Sequence, residues 1–81
     1  MELREEILQT IIKRTADVMK KNADELNADS SFEALGFKSG NYVQVTTVLE
    51  DEFEVEIPYM DFKRRKTFGE AAEYVEQLVE G

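Results

Sequence analysis

The clearest helical pattern of the chain lies in residues 36–53, GFKSGNYVQVTTVLEDEF. Apolar side chains recur there every three or four residues, which is the spacing of one buried face of an α-helix. They are Tyr42, Val45, Leu49 and Phe53, with Val48 beside them. We therefore predict a helix that begins at Ser39 or Gly40, carries Leu49 and Phe53 in the core, and cannot continue through Pro58.

The first residue of this helix raises the main chemical question of the sequence. A serine at a helix start commonly acts as an N-cap, whose side-chain oxygen accepts a hydrogen bond from a free backbone N–H group. The same position exposes the hydroxyl, because the chain turns there before the helix packs. Ser39 is therefore a candidate either for a cap or for a hydroxyl that is used in chemistry, and the local pattern alone favours the cap.

Helical spacing also precedes this stretch. Apolar residues from Leu3 to Met19 predict a first helix from about residue 3 to 20. The polar segment KKNADELNADSSF, residues 20–32, interrupts the pattern and predicts a long loop with Leu26 as its one apolar anchor. Ser30 and Glu33 have capping-box spacing before a single short turn, which Gly36 is placed to end.

Two more helices are predicted after Pro58. Residues 59–65 have room for one or two helical turns. Thr67 and Glu70 then form a capping-box pair before a last helix. Its predicted buried residues are Phe68, Ala71, Ala72, Val75, Leu78 and Val79. No strand-like alternation persists, so we predict one all-α domain, residues 1–81, built as a small four-helix bundle with a long loop after the first helix and a short third helix.

The composition limits the chemistry of the chain. Its 81 residues include no cysteine and no histidine, so thiolate metal sites and the commonest general base near neutral pH are missing. Carboxylates alone could still act, but an enzyme is the least favoured class. No apolar run approaches the ~20 residues that span a bilayer, and Met1 leads into charged residues rather than a signal peptide. We expect a cytoplasmic monomer without stable membrane insertion.

The net charge of −8 bears on the partners of the chain. An acidic chain is a poor ligand for nucleic acid, which favours a basic surface. Acidic charge attracts basic protein partners, because complementary fields raise the rate of encounter. The alternative is that the charge only keeps a small protein in solution.

Residues 35–58, LGFKSGNYVQVTTVLEDEFEVEIP, resemble the central motif of acyl carrier proteins. That family has Leu-Gly-x-Asp-Ser-Leu, then a helix that ends in an acidic run, a Phe and, a few residues later, Ile-Pro. The matching positions, reached without a gap, are Leu35, Gly36, Ser39, Leu49, Glu50, Glu52, Phe53, Ile57 and Pro58. The resemblance continues forward through Tyr74 and back through Leu26 to the first helix, so it covers essentially the whole chain.

The resemblance implies that Ser39 carries 4′-phosphopantetheine, which a phosphopantetheinyl transferase donates from coenzyme A. The thiol of this arm would hold acyl groups as thioesters for synthases, acyltransferases or ligases. The carrier itself would catalyse nothing, which fits a chain without histidine or cysteine. The start of a helix also suits the attached phosphate, because free N–H groups and the positive end of the helix dipole face it.

Four residues around Ser39 depart from the family pattern. Lys38 stands where the family has Asp, Gly40 where it has Leu, and Asn41 and Gln44 where it commonly has exposed acids. Such acids pair with basic patches on partner enzymes, so their loss favours a dedicated pathway, such as specialised fatty acid, lipid or polyketide-type biosynthesis. The alternatives are the housekeeping fatty acid synthase carrier and, because a transferase reads this neighbourhood, a helical adaptor that is never modified.

The basic run KRRK, Lys63–Lys66, is a further departure, because common members are acidic or mixed there. It is either a solvated face that balances the five acids of residues 50–56 or a redirected docking surface. A nucleic-acid site is disfavoured, since the run is short and lies in an acidic chain.

Large apolar residues surround the second and third helices, between which an acyl chain can slip in the family. They are Phe37, Tyr42, Tyr59, Met60 and Phe62. They either narrow that space to short acyl groups or simply pack the core, and Phe62 is the clearest core candidate.

Overall fold

Four α-helices form where the sequence predicts them. The computed structural model describes residues 1–81 and contains α1 (Leu3–Met19), α2 (Ser39–Phe53), α3 (Tyr59–Lys63) and α4 (Phe68–Glu80). A single 3₁₀ turn, Ala23–Glu25, lies in the loop between α1 and α2, and the only strand-like feature is an isolated bridge between Ser31 and Thr67. The prediction of an all-α bundle with a long first loop and a short third helix is confirmed.

The first helix, α1, forms one wall of the core and packs against both α2 and α4. Its buried side chains are Ile7, Ile11, Ile12 and Thr15, which lie on one helical face. The helix ends where Lys20 adopts the left-handed conformation, with φ 57°. No helix of the structure is both long and apolar enough to cross a lipid bilayer.

The predicted buried stripe of α2 is confirmed in its centre and differs at its end. Tyr42, Val45 and Leu49 are buried, whereas Phe53 is half-buried against the edge of the core. Phe53 is less covered because it is the last residue of α2, where the chain leaves the bundle. Thr46, which the pattern does not select, is buried and donates its hydroxyl to the carbonyl of Tyr42 at 3.0 Å.

The last helix repeats this arrangement. Phe68, Ala71, Ala72 and Val75 are buried as predicted. Leu78 and Val79 are only half-buried, because they lie in the final turns of α4 at the edge of the bundle.

Phe32 is the centre of the aromatic part of the core. Its ring centroid lies 4.8 Å from Phe68, 4.9 Å from Phe37, 5.4 Å from Tyr42 and 5.8 Å from Phe62. The prediction that Leu26 is the one anchor of the long loop is therefore wrong. Leu26 is buried, but Phe32 is buried too and packs against four other aromatic rings. Aromatic pairs at such separations add to the stability gained from burial alone.

The backbone of the same loop is tied to the junction between α3 and α4. Gly69 N–H donates to the Ala28 carbonyl at 2.8 Å, and Phe68 N–H donates to the Ser30 carbonyl at 3.0 Å. A Cβ atom on Gly69 would lie 3.1 Å from the Ala28 oxygen, so a residue without a side chain permits this close approach. The loop is thus held by α4 as well as by its own apolar side chains.

Two predicted capping boxes form differently from expectation. Ser31, not Ser30, caps the short turn: its hydroxyl accepts from Ala34 N–H at 3.1 Å, while the Ser30 hydroxyl accepts from Asn27 N–H at 2.9 Å. Residues 32–36 form turns rather than a helix, and Gly36 ends them with φ 79°.

Only one of the two hydrogen bonds of the predicted capping box before α4 forms. Thr67 accepts from Glu70 N–H at 3.2 Å, but the Glu70 carboxylate accepts from Lys66 N–H, one residue earlier than the box requires.

Candidate functional site

The start of α2 is closed by backbone and amide groups rather than by Ser39. The N-cap residue is Lys38, and Ser39 is the first residue of the helix. The Lys38 carbonyl accepts from Asn41 N–H at 2.9 Å and from Tyr42 N–H at 3.1 Å. The Asn41 side-chain oxygen in turn accepts from Lys38 N–H at 2.9 Å. Asn41 thus performs the reciprocal half of a capping box, in which a side chain three residues into the helix bonds back to the cap.

The hydroxyl of Ser39 is left free by this arrangement. The residue is exposed, and its oxygen makes no hydrogen bond within the chain. The interpretation of Ser39 as a helix cap is therefore wrong, because the cap lies one residue earlier. A serine with no structural hydrogen bond keeps both lone pairs and its proton available to another molecule.

The chain reaches Ser39 through a turn fixed by packing. Gly36 has φ 79°, in the left-handed region that favours glycine. Phe37 N–H donates to the Phe32 carbonyl at 3.1 Å, and the two rings meet edge to face. At Gly36 and Gly40 no atom beyond the adjoining backbone lies within 4 Å of the position that a Cβ would take, so the space before and after Ser39 is open.

Asn41 and Gln44 share one side of α2, as predicted from their spacing. The Asn41 amide donates to the Gln44 side-chain oxygen at 3.3 Å. The Gln44 carbonyl accepts from Arg14 of α1 at 3.4 Å, so this side of α2 borders α1. No acidic residue occurs between Glu33 and Glu50, and the first turn of α2 therefore has no negative charge.

Aromatic rings occupy the space between α2 and α3. Tyr42 is 8% exposed, and its ring centroid lies 5.1 Å from Phe37 and 6.4 Å from Tyr59. Burial is the main cause that raises the pKa of Tyr42, with smaller contributions from Tyr59 and Glu33. The hydroxyl of Tyr59 is buried without a hydrogen-bond partner.

The aromatic residues that the sequence grouped together do not play one role. Tyr42 and Phe62 belong to the core, and Phe37 and Tyr59 pack against it as half-buried side chains. Met60, in contrast, is 58% exposed and fills no space between the helices.

The basic run is not paired with the acids of residues 50–56. Its one ion pair joins Arg64 to Asp61 at 3.7 Å. Arg65 lies over the ring of Tyr74, with its guanidinium carbon 4.3 Å from the ring centroid. Glu50 instead accepts from Ile57 N–H at 2.8 Å and closes the chain after α2. No group of three or more acidic side chains is arranged to hold a metal ion.

An exposed, unbonded serine at the first residue of the second helix of a small four-helix bundle is the arrangement expected of a carrier with a phosphate-linked arm. Comparisons with known proteins agree with this class. Residues 8–75 match the profile of the phosphopantetheine attachment site family. The acyl carrier protein of Clostridium perfringens is 38% identical over 66 residues, which cover 80% of this chain and 87% of that protein.

A plant relative gives the same result. Acyl carrier protein 4, chloroplastic, of Arabidopsis thaliana is 32% identical over 74 residues, which cover 85% of this chain and 54% of that protein. The chain belongs to the acyl carrier protein family, and its cofactor is covalently attached 4′-phosphopantetheine. Carriers of this family interact with a phosphopantetheinyl transferase and with acyl-handling enzymes, and they are not themselves catalytic.

Two residues that matter at the site are missed by reasoning from the sequence. The sequence identifies Asn41 only as a position without the family's acid, yet its side chain closes the start of α2. Its position three residues after Lys38 is the signal that could have identified it, since that is the capping-box spacing. Phe32, which supports the turn before Ser39, lies in a polar segment whose local pattern gives no sign of burial.

Proposed function

We propose that Ser39 is the sole attachment point of 4′-phosphopantetheine. The observation that supports this is the state of the three serines of the chain. Ser30 and Ser31 use their hydroxyls as acceptors for backbone N–H groups, whereas Ser39 is exposed and unbonded at the start of a long helix. A transferase needs a hydroxyl that it can approach, orient and deprotonate without first breaking a structural bond.

Residues at the start of α2 suit the attached phosphate. In the transfer, Ser39 Oγ forms a bond to the phosphorus of the pantetheine phosphate, and the pyrophosphate bond of coenzyme A breaks. Adenosine 3′,5′-bisphosphate leaves, and the serine proton passes to the transferase or solvent. The product phosphodiester sits at the positive end of α2, where an exposed negative charge is stabilised by about 0.3–1 kcal/mol. Lys38 adds a second positive charge next to it.

We further propose that residues 1–81 act as one standalone, monomeric carrier domain that presents acyl thioesters in a dedicated biosynthetic pathway. Lys38, Asn41 and Gln44 support the dedicated pathway, because they remove negative charge from the part of α2 that surrounds Ser39. The alternative is the housekeeping fatty acid carrier. Both versions place all bond-making steps on partner enzymes, since the site offers no general base of its own.

The test of the attachment site is incubation with coenzyme A, magnesium and a broad-specificity phosphopantetheinyl transferase, followed by intact-mass measurement. We expect one added phosphopantetheine on the native chain and none on Ser39→Ala. Ser30→Ala and Ser31→Ala are matched controls and should be modified normally. Modification that persists in Ser39→Ala would contradict the assignment, and an unmodified native chain would favour the helical adaptor instead.

A further inference from the structure

The exposed part of the basic run forms a surface that the carrier chemistry does not use. We call Lys63, Arg64 and Lys66 the basic rim. Lys63 and Lys66 are exposed and have no ion-pair partner. Arg64 is paired only with Asp61, at 3.7 Å, and its side chain remains 74% exposed. Such an exposed pair holds the arginine weakly, so the rim presents three available cations.

Arg65 differs from its neighbours and fixes them in place. Its guanidinium stacks on Tyr74 of α4, and its Nε atom is buried. The Lys66 carbonyl accepts from Phe32 N–H at 3.3 Å, which ties the same segment to the aromatic centre of the core. The rim is therefore carried by an anchored backbone, and its charges have a defined position relative to α2.

The rim borders the N-terminal part of α2, the helix that begins at Ser39. An open cleft of about 420 Å³ is lined by the basic run on one side and by Tyr42 of α2 on the other. Ser39 and Tyr42 are three residues apart, so they project from the same side of the helix. Glu33 is the one acidic side chain among the residues that line this cleft.

Apolar contact area is available near the same end of α2. Val43, one turn after Ser39, is 49% exposed, and Met60 of α3 is 58% exposed. The Met60 carbonyl accepts from Arg64 N–H at 3.2 Å, so this methionine and the rim belong to one short segment. Apolar anchors surrounded by charged residues are the usual composition of a docking surface between proteins.

We propose that the basic rim docks acyl-handling partner enzymes whose surface is acidic around the entrance of their active site. This proposal rests on the proposed attachment at Ser39. It adds that the enzymes which receive the arm have an acidic docking surface. Charge complementarity supports a protein with exposed Asp and Glu side chains that meet the rim while apolar residues cover Val43 and Met60. A nucleic acid would be repelled by the net charge of −8 that the molecule carries.

The net charge of the chain affects how the rate of this association depends on ionic strength. An acidic partner is repelled at long range by the chain as a whole and attracted only at contact by the rim. Salt screens the long-range part beyond a Debye length of about 8 Å at physiological ionic strength, while contacts at the rim are screened less once water is excluded. Docking through the rim should therefore be fastest at intermediate ionic strength rather than at the lowest.

The experiment compares two versions of one acyltransferase of fatty acid synthesis. One is the native enzyme with its basic docking surface, and the other has those basic residues replaced by glutamate. Loading of the phosphopantetheinylated carrier is measured with both. We expect faster loading by the acidic version, by about threefold to tens-fold for three exposed charge contacts. Lys63→Glu/Arg64→Glu/Lys66→Glu should reverse the order of the two enzymes.

The matched control is Lys13→Glu/Lys20→Glu/Lys21→Glu, which changes the net charge by the same amount at three exposed positions in and just after α1. It should leave the order of the two enzymes unchanged. Equal loading by both enzymes, or a reversal caused by the control variant as well, would overturn the proposal. If the native chain accepts phosphopantetheine but is loaded equally by the two enzymes, only the proposed role of the rim is contradicted. If the chain accepts no phosphopantetheine, both the proposed function and the role of the rim are contradicted.

Discussion

The two ends of α2 are built in opposite ways. Eleven of the fifteen residues of α2, from Ser39 to Leu49, include no acid, and the start of the helix is closed by the amide of Asn41. The second end carries five acids within residues 50–56 and closes at Glu54, which adopts the left-handed conformation with φ 52°. A helix dipole favours the reverse arrangement, with acids at the start and cations at the end.

This contrast shows that helix stability does not explain where the charges of α2 lie. Glu50 has a structural role, because it accepts from Ile57 N–H, but Asp51, Glu52 and Glu54 are exposed and make no ion pair. At the other end, where acids would stabilise the helix, the chain has Lys38 and uncharged residues. This charge pattern is consistent with the proposed redirection of partners, because the part of α2 without acids includes Ser39, the residue proposed to carry the arm.

The largest effect on stability should come from a substitution in the buried middle of α2, between its two ends. Leu49 is fully buried, so Leu49→Ala should lower the free energy of unfolding by about 2–5 kcal/mol, measured by urea denaturation. Thr47→Ala, two residues earlier on the exposed side, is the matched control and should change it by less than about 0.5 kcal/mol. A Leu49→Ala loss as small as that of the control would mean that Leu49 does not lie on the buried face of α2.

The next effect should appear when the first end is made acidic like the second. Lys38→Asp/Asn41→Asp/Gln44→Glu should raise the rate of loading by a typical fatty acid synthase acyltransferase several-fold to tens-fold. Each exposed pair with a basic partner is worth about 0.2–1 kcal/mol, and the gain should shrink at high salt. Asp at position 41 keeps an oxygen that can accept from Lys38 N–H, so the cap is retained.

Neutralising the other end provides the control for that comparison. Asp51→Asn/Glu52→Gln removes two exposed charges far along α2 from Ser39 and should alter loading less than the triple variant does. If the native carrier already loads as fast as the triple variant, the departures around Ser39 do not redirect partners, and the housekeeping carrier becomes the better proposal.

A smaller effect distinguishes two neighbouring residues at the start of the helix. Asn41→Ala should cost about 1 kcal/mol of stability, because it removes the side chain that closes the cap. Ser39→Ala should cost less than about 0.5 kcal/mol, since its hydroxyl makes no hydrogen bond. Thermal or chemical unfolding of the unmodified variants measures both, and a larger loss for Ser39→Ala would show that the serine is the cap after all.

The smallest effect concerns the acidic end. Like charges one turn apart on a helix repel by about 0.2–0.5 kcal/mol per pair, and sodium chloride screens them. No ion pair from Lys63–Lys66 offsets the repulsion, so the melting temperature should rise between low and moderate salt. The ion pair of Arg4 with Glu76, at 2.8 Å, is weakened by salt and so lowers the melting temperature as salt rises. A steady fall in melting temperature would mean that such attractions outweigh the acidic end.

The helices of this protein are predictable because their signal is local. Repeated apolar spacing identifies α1, α2 and α4, and Pro58 sets a limit that α2 cannot pass. The position of the cap is not predictable to one residue, since Lys38 and Ser39 both suit the start of the same pattern and the amide of Asn41 decides between them. A one-residue difference of this kind changes Ser39 from a bonded cap into a free hydroxyl.

The aromatic centre is hidden from the sequence for another reason. Phe32 is buried by Phe62 and Phe68, which lie more than a quarter of the chain away, so no short window can reveal the contact. The same holds for Ser31, whose backbone pairs with Thr67 and which takes the capping role expected of Ser30. Residues that act through distant partners need the folded structure to identify them.

The link between Gly69 and Ala28 has a consequence for the order of events during synthesis of the protein. The loop that leads to Ser39 is held by backbone bonds from Phe68 and Gly69, and its aromatic support includes Phe68 itself. A growing chain that ends before α4 lacks these partners, so the loop cannot yet adopt its final shape. Small domains generally fold as units, which here requires the last helix. Attachment of the arm by an enzyme that recognises the folded loop is therefore an event that follows translation of α4.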